Sequence, residues 1–294
     1  MTIKVRAPGS CGELVQGTIN GVNFLITCPV DWYSEVTVVP GGSMTSAEPK
    51  AAAAVDKTLK YLYAAGDFGL VVESDLPVGK GMASSSADIS AACQAASLAV
   101  TGRRLSCDEI ADIALAIEPT DGIFYPGIIM FDHVQGKIRR TLGTPPPINI
   151  AVFDAGGEVD TLAFNDRQDL ASLNQAKELQ IIQAVELVAK GLEIGDARLI
   201  GQGATMSALA NQAILYKPCL DTAINISRDF GAVGVCAAHS GTVLGVMFSA
   251  DAMSGHEACI KEICRACPEV AYLKTIQLIA GGLIITGDDG SECG

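Results

Sequence analysis

Asp75-Leu76-Pro77-Val78-Gly79-Lys80-Gly81-Met82-Ala83-Ser84-Ser85-Ser86-Ala87-Asp88 lies between a predicted strand at 69–74 and a predicted helix running to about residue 100. Gly79 and Gly81 permit backbone conformations that a side chain forbids. Three serines then open the helix. The first turn of a helix presents unpaired N–H groups and a partial positive charge, which together bind anions. Serine hydroxyls add donors, and they can ligate a magnesium ion carried on phosphates. Ala87, Ala91 and Ala92 keep the helix thin enough to pack closely behind the loop. The spacing excludes two familiar phosphate loops. Lys80 precedes Met82 instead of closing a G-x-x-x-x-G-K-[ST] run, and no G-x-G-x-x-G occurs there. The plain alternative is a Gly-rich turn with a Ser-rich helix cap.

Outward from this loop, the 294-residue chain is 49% hydrophobic and only 18% charged, which excludes disorder as its main state. Aromatics are 5%, so the core must be built mostly from Ala, Val, Ile and Leu. The length fits one large domain or two modest ones. Twenty Lys and Arg face 33 Asp and Glu, a net charge of -13. Such a chain has no general attraction for nucleic acid, whose affinity comes largely from Lys and Arg on phosphates. An anionic ligand therefore needs a local site of backbone N–H groups or a metal ion. Mean hydropathy is +0.34, yet no apolar stretch reaches the ~18 residues of a spanning helix. The start, MTIKVRAPGS, lacks the apolar run of a signal peptide. The expectation is a cytoplasmic protein with neither nucleic acid nor membrane as partner. Monomer and homodimer both stay open.

Ten cysteines without a secretion signal argue for reduced, buried thiols. Cys259, Cys264 and Cys267 share the C-x4-C-x2-C spacing of plant-type iron–sulfur proteins, with Cys293 beyond. The run around them reads instead as a helix ending at Pro268, its cysteines and Ile260 and Ile263 forming an apolar face. Core packing is the expectation.

Along the chain, strands are expected at 3–7, 22–30, 34–39 and 69–74, and helices at 48–65 and from the serines to about 100. A helix over 107–117 opens with Ser106 and Glu109, a capping box. Strands at 127–132 and 137–142 precede Pro145-Pro146-Pro147, the best boundary, and the buried strand INIAVFDA follows. Helices are expected at 168–191, 195–210, 219–229 and 254–267, with a strand–turn–strand unit over 231–248 and two strands near 270–286. The elements interleave without strict βαβ alternation, which favours α+β over a doubly wound parallel sheet. The domains expected are 1–146 and 147–294.

The loop resembles the second motif of the GHMP kinases, Pro-x-x-x-Gly-Leu-Gly-Ser-Ser, with Met82 for Leu and Ala83 for Gly. Arg6-Ala7-Pro8-Gly9-Ser10-Cys11-Gly12-Glu13-Leu14 falls where the family has its first motif. Gly231 through Gly241, ending Ala237-Ala238-His239-Ser240-Gly241, falls where it has its third. The resemblance implies a two-lobed fold, a ribosomal-protein-like N-terminal domain and a ferredoxin-like C-terminal one. It implies ATP and Mg2+, with Pro77, Gly79, Lys80, Gly81, Met82, Ala83, Ser84, Ser85 and Ser86 at the nucleotide. Ser85 corresponds to the family's metal-contacting serine, with Glu118 as the second metal ligand. Within the family, SCGELVQG (10–17) and CPVDWYSEV (28–36) resemble the branch that phosphorylates the hydroxyl of L-threonine for cobalamin synthesis.

Two readings stand for Asp121: a general base toward the substrate hydroxyl, or a turn-former before Gly122. Glu13 is a candidate partner for a substrate ammonium. Asp31, His239 and Ser240 are candidates for the substrate side, and Trp32 for the cleft or the core. The chain departs from the family in three places. Ser10 replaces the lysine of the mevalonate-type first motif, Glu118 and Asp121 stand only three apart, and the third motif is poorer in glycine. The substrate expected is a hydroxy amino acid, L-threonine first. Homoserine, another GHMP substrate, or a catalytically silent ligand-binding relative are the alternatives.

Overall fold

The computed structural model describes residues 3–42, 49–157 and 167–286. Two long strands organise it, β1 (Ile3–Ile19) and β2 (Val22–Pro40), paired antiparallel along their whole length. Their two-residue turn is Asn20-Gly21, both with positive φ (50° and 73°), the conformation that matches the twist of a tight hairpin. The separate strands expected at 3–7, 22–30 and 34–39 are thus parts of one hairpin. The Pro8-Gly9-Ser10-Cys11-Gly12 run of motif one breaks period-2 alternation. The structure absorbs that run as register shifts between Pro8 and Gly9, Ser10 and Glu13, and Glu13 and Val15.

Helices α1 (Pro49–Tyr61), α2 (Ser84–Thr101) and α3 (Cys107–Leu115) pack with the first halves of the chain's sheet around Val5, Val36, Ile89, Ile110 and Phe131. Strand β3 (Phe68–Ser74) pairs with β2, as do β4 (Ile128–Phe131) and, through β4, β5 (Arg139–Gly143). Helix α2 buries Ala87, Ala91, Ala92, Ala95 and Ala96 completely, so its backbone lies close over β1 and β2. The capping box on α3 forms as read. Glu109 N donates to Ser106 Oγ (3.3 Å), and Ser106 N donates to Glu109 Oε2 (2.8 Å).

The second half contains β6 (Ile148–Asp154), helices α4 (Leu170–Ile194), α5 (Ala197–Ala210) and α6 (Leu220–Asp229), the hairpin β7 (Gly234–Ala237) and β8 (Val243–Ser249), then α7 (His256–Ala266) and β9 (Ala271–Leu278). The strands order as β9-β6-β8-β7, all antiparallel, the arrangement of a ferredoxin-like unit. The hairpin joins this unit to the rest: Glu13 pairs with Ala237, and Val30 with Leu278. Strand β10 (Ile284–Thr286) returns to pair with Lys4–Arg6. The result is the mixed α+β class expected. Cys259 and Cys267 are buried with Ile263 and Phe248, and Cys264 packs against the same cluster; Cys293 lies outside the described residues.

Candidate active site

The Gly-rich loop is clamped from both halves of the chain. Ser10 N donates to Met82 O (2.9 Å) and Gly12 N to Gly81 O (3.2 Å), so motif one holds motif two by its backbone. Thr242 N and Val243 N, immediately after motif three, both donate to Lys80 O (2.9 and 3.0 Å). Contact is too close for side chains. A Cβ on Gly81, whose φ is +83°, would lie 2.4 Å from Ala238 Cβ, and one on Gly241 would lie 2.2 Å from Lys80 O. Ala83 takes the left-handed conformation at the N-cap of α2 and offers no capping side chain. The first N–H groups of α2 therefore open onto a cleft of ≈ 300 Å³ lined by Gly79, Gly81 and Ser84–Ser86.

Carboxylates face these serines. Glu118 accepts from Ser85 Oγ and forms an ion pair with Lys50 at 2.6 Å. Ser86 Oγ donates to Asp121 Oδ2 (3.3 Å) and accepts from Asp121 N (3.0 Å). Thr120 N donates to His133 O (3.0 Å), which fixes the short loop carrying both acids. Burial raises Asp121 to about 6, against the hydrogen bond from Ser86, and the Glu118 charge adds to the rise. Glu13 is 4% exposed, and its Oε2 has no hydrogen-bond partner. Burial first, then the Asp121 charge, pushes Glu13 well above the usual carboxylate range. Buried carboxyl oxygens without a protein partner are rare in folded proteins, which keeps Glu13 among the candidate site residues.

His239 and Ser240 complete the lining, with Gln16 Oε1 3.0 Å from His239 Nδ1. The structure thus brings together Glu13, Gly79, Gly81–Ser86, Glu118, Asp121, His239 and Ser240. Three other candidates, Pro77, Lys80 and Asp31, are not part of that lining. Lys80 Nζ pairs with Asp154 (3.0 Å) and donates to Gly157 O (2.6 Å). Asp31 is exposed and accepts from Gln277 N (2.6 Å) beside β9, away from the cleft lining. Trp32 packs half-buried under Lys274, whose Nζ lies 4.3 Å from the ring centroid. His133 was missed by sequence reading. It lines the cleft edge-on to His239 at 5.2 Å, and burial pulls it down to about 4, so it is neutral at neutral pH. Its signal, a lone histidine at a strand end, is too common to single out. Lys50 was missed because it reads as a surface lysine on α1.

Residues 49–125 match the GHMP kinases N terminal domain, and residues 184–263 match the GHMP kinases C terminal domain. The L-threonine kinases of Citrobacter freundii and Salmonella typhimurium are each 33% identical over 246 residues, 82% of this chain and 85% and 81% of theirs. The chain is a GHMP kinase. The kinase also shares its fold with homoserine kinase from Cytophaga hutchinsonii (TM-score 0.71, 18% identity, 97% of each chain). Mevalonate kinase from L. major is a further neighbour (TM-score 0.66, 16% identity, 95% of this chain and 96% of that one). At those identities the likeness shows the fold alone. For a kinase, the α2 terminus suits the phosphates of ATP. Ser85 Oγ and Glu118 Oε1 form an adjacent pair of hard oxygen donors of the kind magnesium takes. Among the described residues no helix is long and apolar enough to cross a membrane.

Proposed function

We propose that this kinase transfers the γ-phosphoryl group of ATP to the side-chain hydroxyl of L-threonine, giving O-phospho-L-threonine and ADP. The substrate rests on the 33% identity to the two L-threonine kinases, together with the unpartnered Glu13 oxygen in the cleft. Its ionised carboxylate takes the substrate ammonium by a charge-assisted hydrogen bond. The N–H groups of Ser84, Ser85 and Ser86 at the start of α2, with the Ser84 hydroxyl, hold the phosphates. Ser85 and Glu118 hold magnesium, which when bound neutralises phosphate charge.

Asp121, on the cleft lining beside the serines of α2, is the base in this reading. The hydroxyl oxygen forms its bond to the γ-phosphorus as the bond to the ADP oxygen breaks, and the hydroxyl proton passes to the Asp121 carboxylate. A base raised to about 6 is ionised at neutral pH yet basic enough to accept that proton. Ser86 holds Asp121 from both its carboxylate and its N–H, so little reorientation is needed. The compartment proposed is the cytoplasm, and the product serves the cobalamin side chain. Incubation with magnesium, ATP and L-threonine, followed by phosphorus NMR, tests the reading. A phosphomonoester coupled to the threonine β-proton, in step with ADP, is expected. ADP formed without that ester would overturn the substrate.

A further inference from the structure

Two lysines behind the cleft are unused by the chemistry above. Lys177 on α4 and Lys217 before α6 are 6% and 4% exposed. Lys177 Nζ donates to Gln16 O (3.2 Å) and Asn211 Oδ1 (2.7 Å), and Lys217 Nζ donates to Gly241 O (2.7 Å). Among the described residues neither has a carboxylate partner, whereas Lys80 and Lys50 beside the same cleft do. Burying an ammonium with only neutral partners is strongly unfavourable, and the cost is relieved either by loss of the proton or by an anion brought nearby. Burial alone draws the two down, to about 7 and about 8.

Both lysines are wired to the lining. Gln16, whose carbonyl Lys177 holds, contacts His239 through its side chain, and Gly241, whose carbonyl Lys217 holds, follows Ser240. Both ammonium charges bear on the His239 ring. The same lining carries Glu13, a buried carboxylate with an oxygen unpartnered. One cleft therefore carries a buried acid with an unpartnered oxygen and, just behind its wall, two buried lysine amines with only neutral partners, each of which a charged ligand group would bring into its ionised form. That pattern is the complement of a zwitterion.

We infer that the cleft is built to select an α-amino acid, with Lys177 and Lys217 supplying the positive field for the substrate carboxylate across the His239–Ser240 wall while Glu13 takes the ammonium. The inference rests on the reading of the substrate as a hydroxy amino acid. Since they lie behind the lining, the lysines are positioning residues: they set which substrate binds, and the proton and phosphoryl transfers do not pass through them.

The test compares L-threonine with L-threoninamide and with 1-amino-2-propanol, which keep the ammonium and the secondary hydroxyl but lack the carboxylate charge. In the wild-type enzyme both analogues should lose about tenfold or more in kcat/KM, mainly through KM, with KM for ATP unchanged. Lys217→Met and Lys177→Met should shrink the ratio of threonine to 1-amino-2-propanol by about tenfold each, and Lys217→Arg should restore most of it. Threoninamide used as well as threonine by the wild type would overturn the inference without any variant being made. So would variants that depress all substrates in equal proportion, the behaviour of a purely structural lysine. Failure of the wild type to phosphorylate any hydroxy amino acid would instead remove the substrate reading beneath it.

Discussion

At the scale of the residue, the site is defined by carboxylates forced into unusual environments. Asp121 is raised to about 6 and must be ionised to accept a proton. The acid limb of kcat/KM should therefore have an apparent pKa of about 6 or higher, since Glu13 is pushed up as well. Asp121→Asn keeps the shape but cannot take the proton. It should lower kcat by about 10²–10⁴ while leaving threonine KM close to wild type. The sign of its stability effect is opposite. A carboxylate raised on folding opposes folding once ionised, so stability due to Asp121 falls as pH rises from its unfolded value through about 6. Unliganded Asp121→Asn should thus melt higher than wild type at pH 7, a difference that thermal melts across pH would detect and that should vanish at pH 4. An equal or lower Tm at pH 7 would contradict the burial argument.

Glu13→Gln addresses the other acid. Losing a charged hydrogen bond to the ammonium should cost about 1.5–3 kcal/mol, read as a higher KM for threonine with KM for ATP nearly unchanged. Equal effects on both substrates would place Glu13 outside the amine contact.

At the scale of the element, the decisive contact is the seating of the Gly-rich loop between motifs one and three. Gly81 has φ +83° and no room for a Cβ, while Gly102, with φ +68° at the end of α2, has open space around it. Both substitutions to Ala strain the backbone by about 1 kcal/mol. Only Gly81→Ala should also displace the loop from Ala238 and Gly241 and so abolish turnover. Gly102→Ala should lower Tm modestly with kcat intact, and the paired measurement separates loop seating from general stability. The loop and its helix were legible in sequence because the signal is local: two glycines, three serines and a run of alanines. The β1–β2 hairpin was only half legible. Asn20-Gly21 marks its turn, but the proline and glycines of motif one hide the continuity of β1 behind its bulges.

At the scale of the whole molecule, function depends on contacts between segments far apart in sequence. Glu13 pairs with Ala237 in the sheet, and Lys80 O is held by Thr242 and Val243, so motifs in either half of the chain share one cleft. Motif order along the chain suggested this meeting. The partners behind it were invisible, because Lys50, Lys177 and Lys217 follow patterns indistinguishable from solvated lysines until folding buries or pairs them. Asp31 shows the converse: its neighbours resemble a substrate motif, yet its carboxylate is spent on the backbone of β9. Pairing patterns report which face a residue takes and carry no information about which distant backbone it meets.

The proposed reaction fixes the substrate ammonium at Glu13 and the base at Asp121. Threonine and serine span those points identically and differ by a branch methyl, whereas homoserine has a longer span. Serine lacks one methyl and should lose about 10–200-fold in kcat/KM. Homoserine carries its hydroxyl one carbon further from the ammonium, so it overshoots the γ-phosphorus and in-line attack suffers. Steady-state kcat/KM for the three, measured in one series with magnesium and ATP, is the most direct test. Threonine first, with serine and homoserine well below it, is the expected result; homoserine above threonine would contradict the substrate assignment.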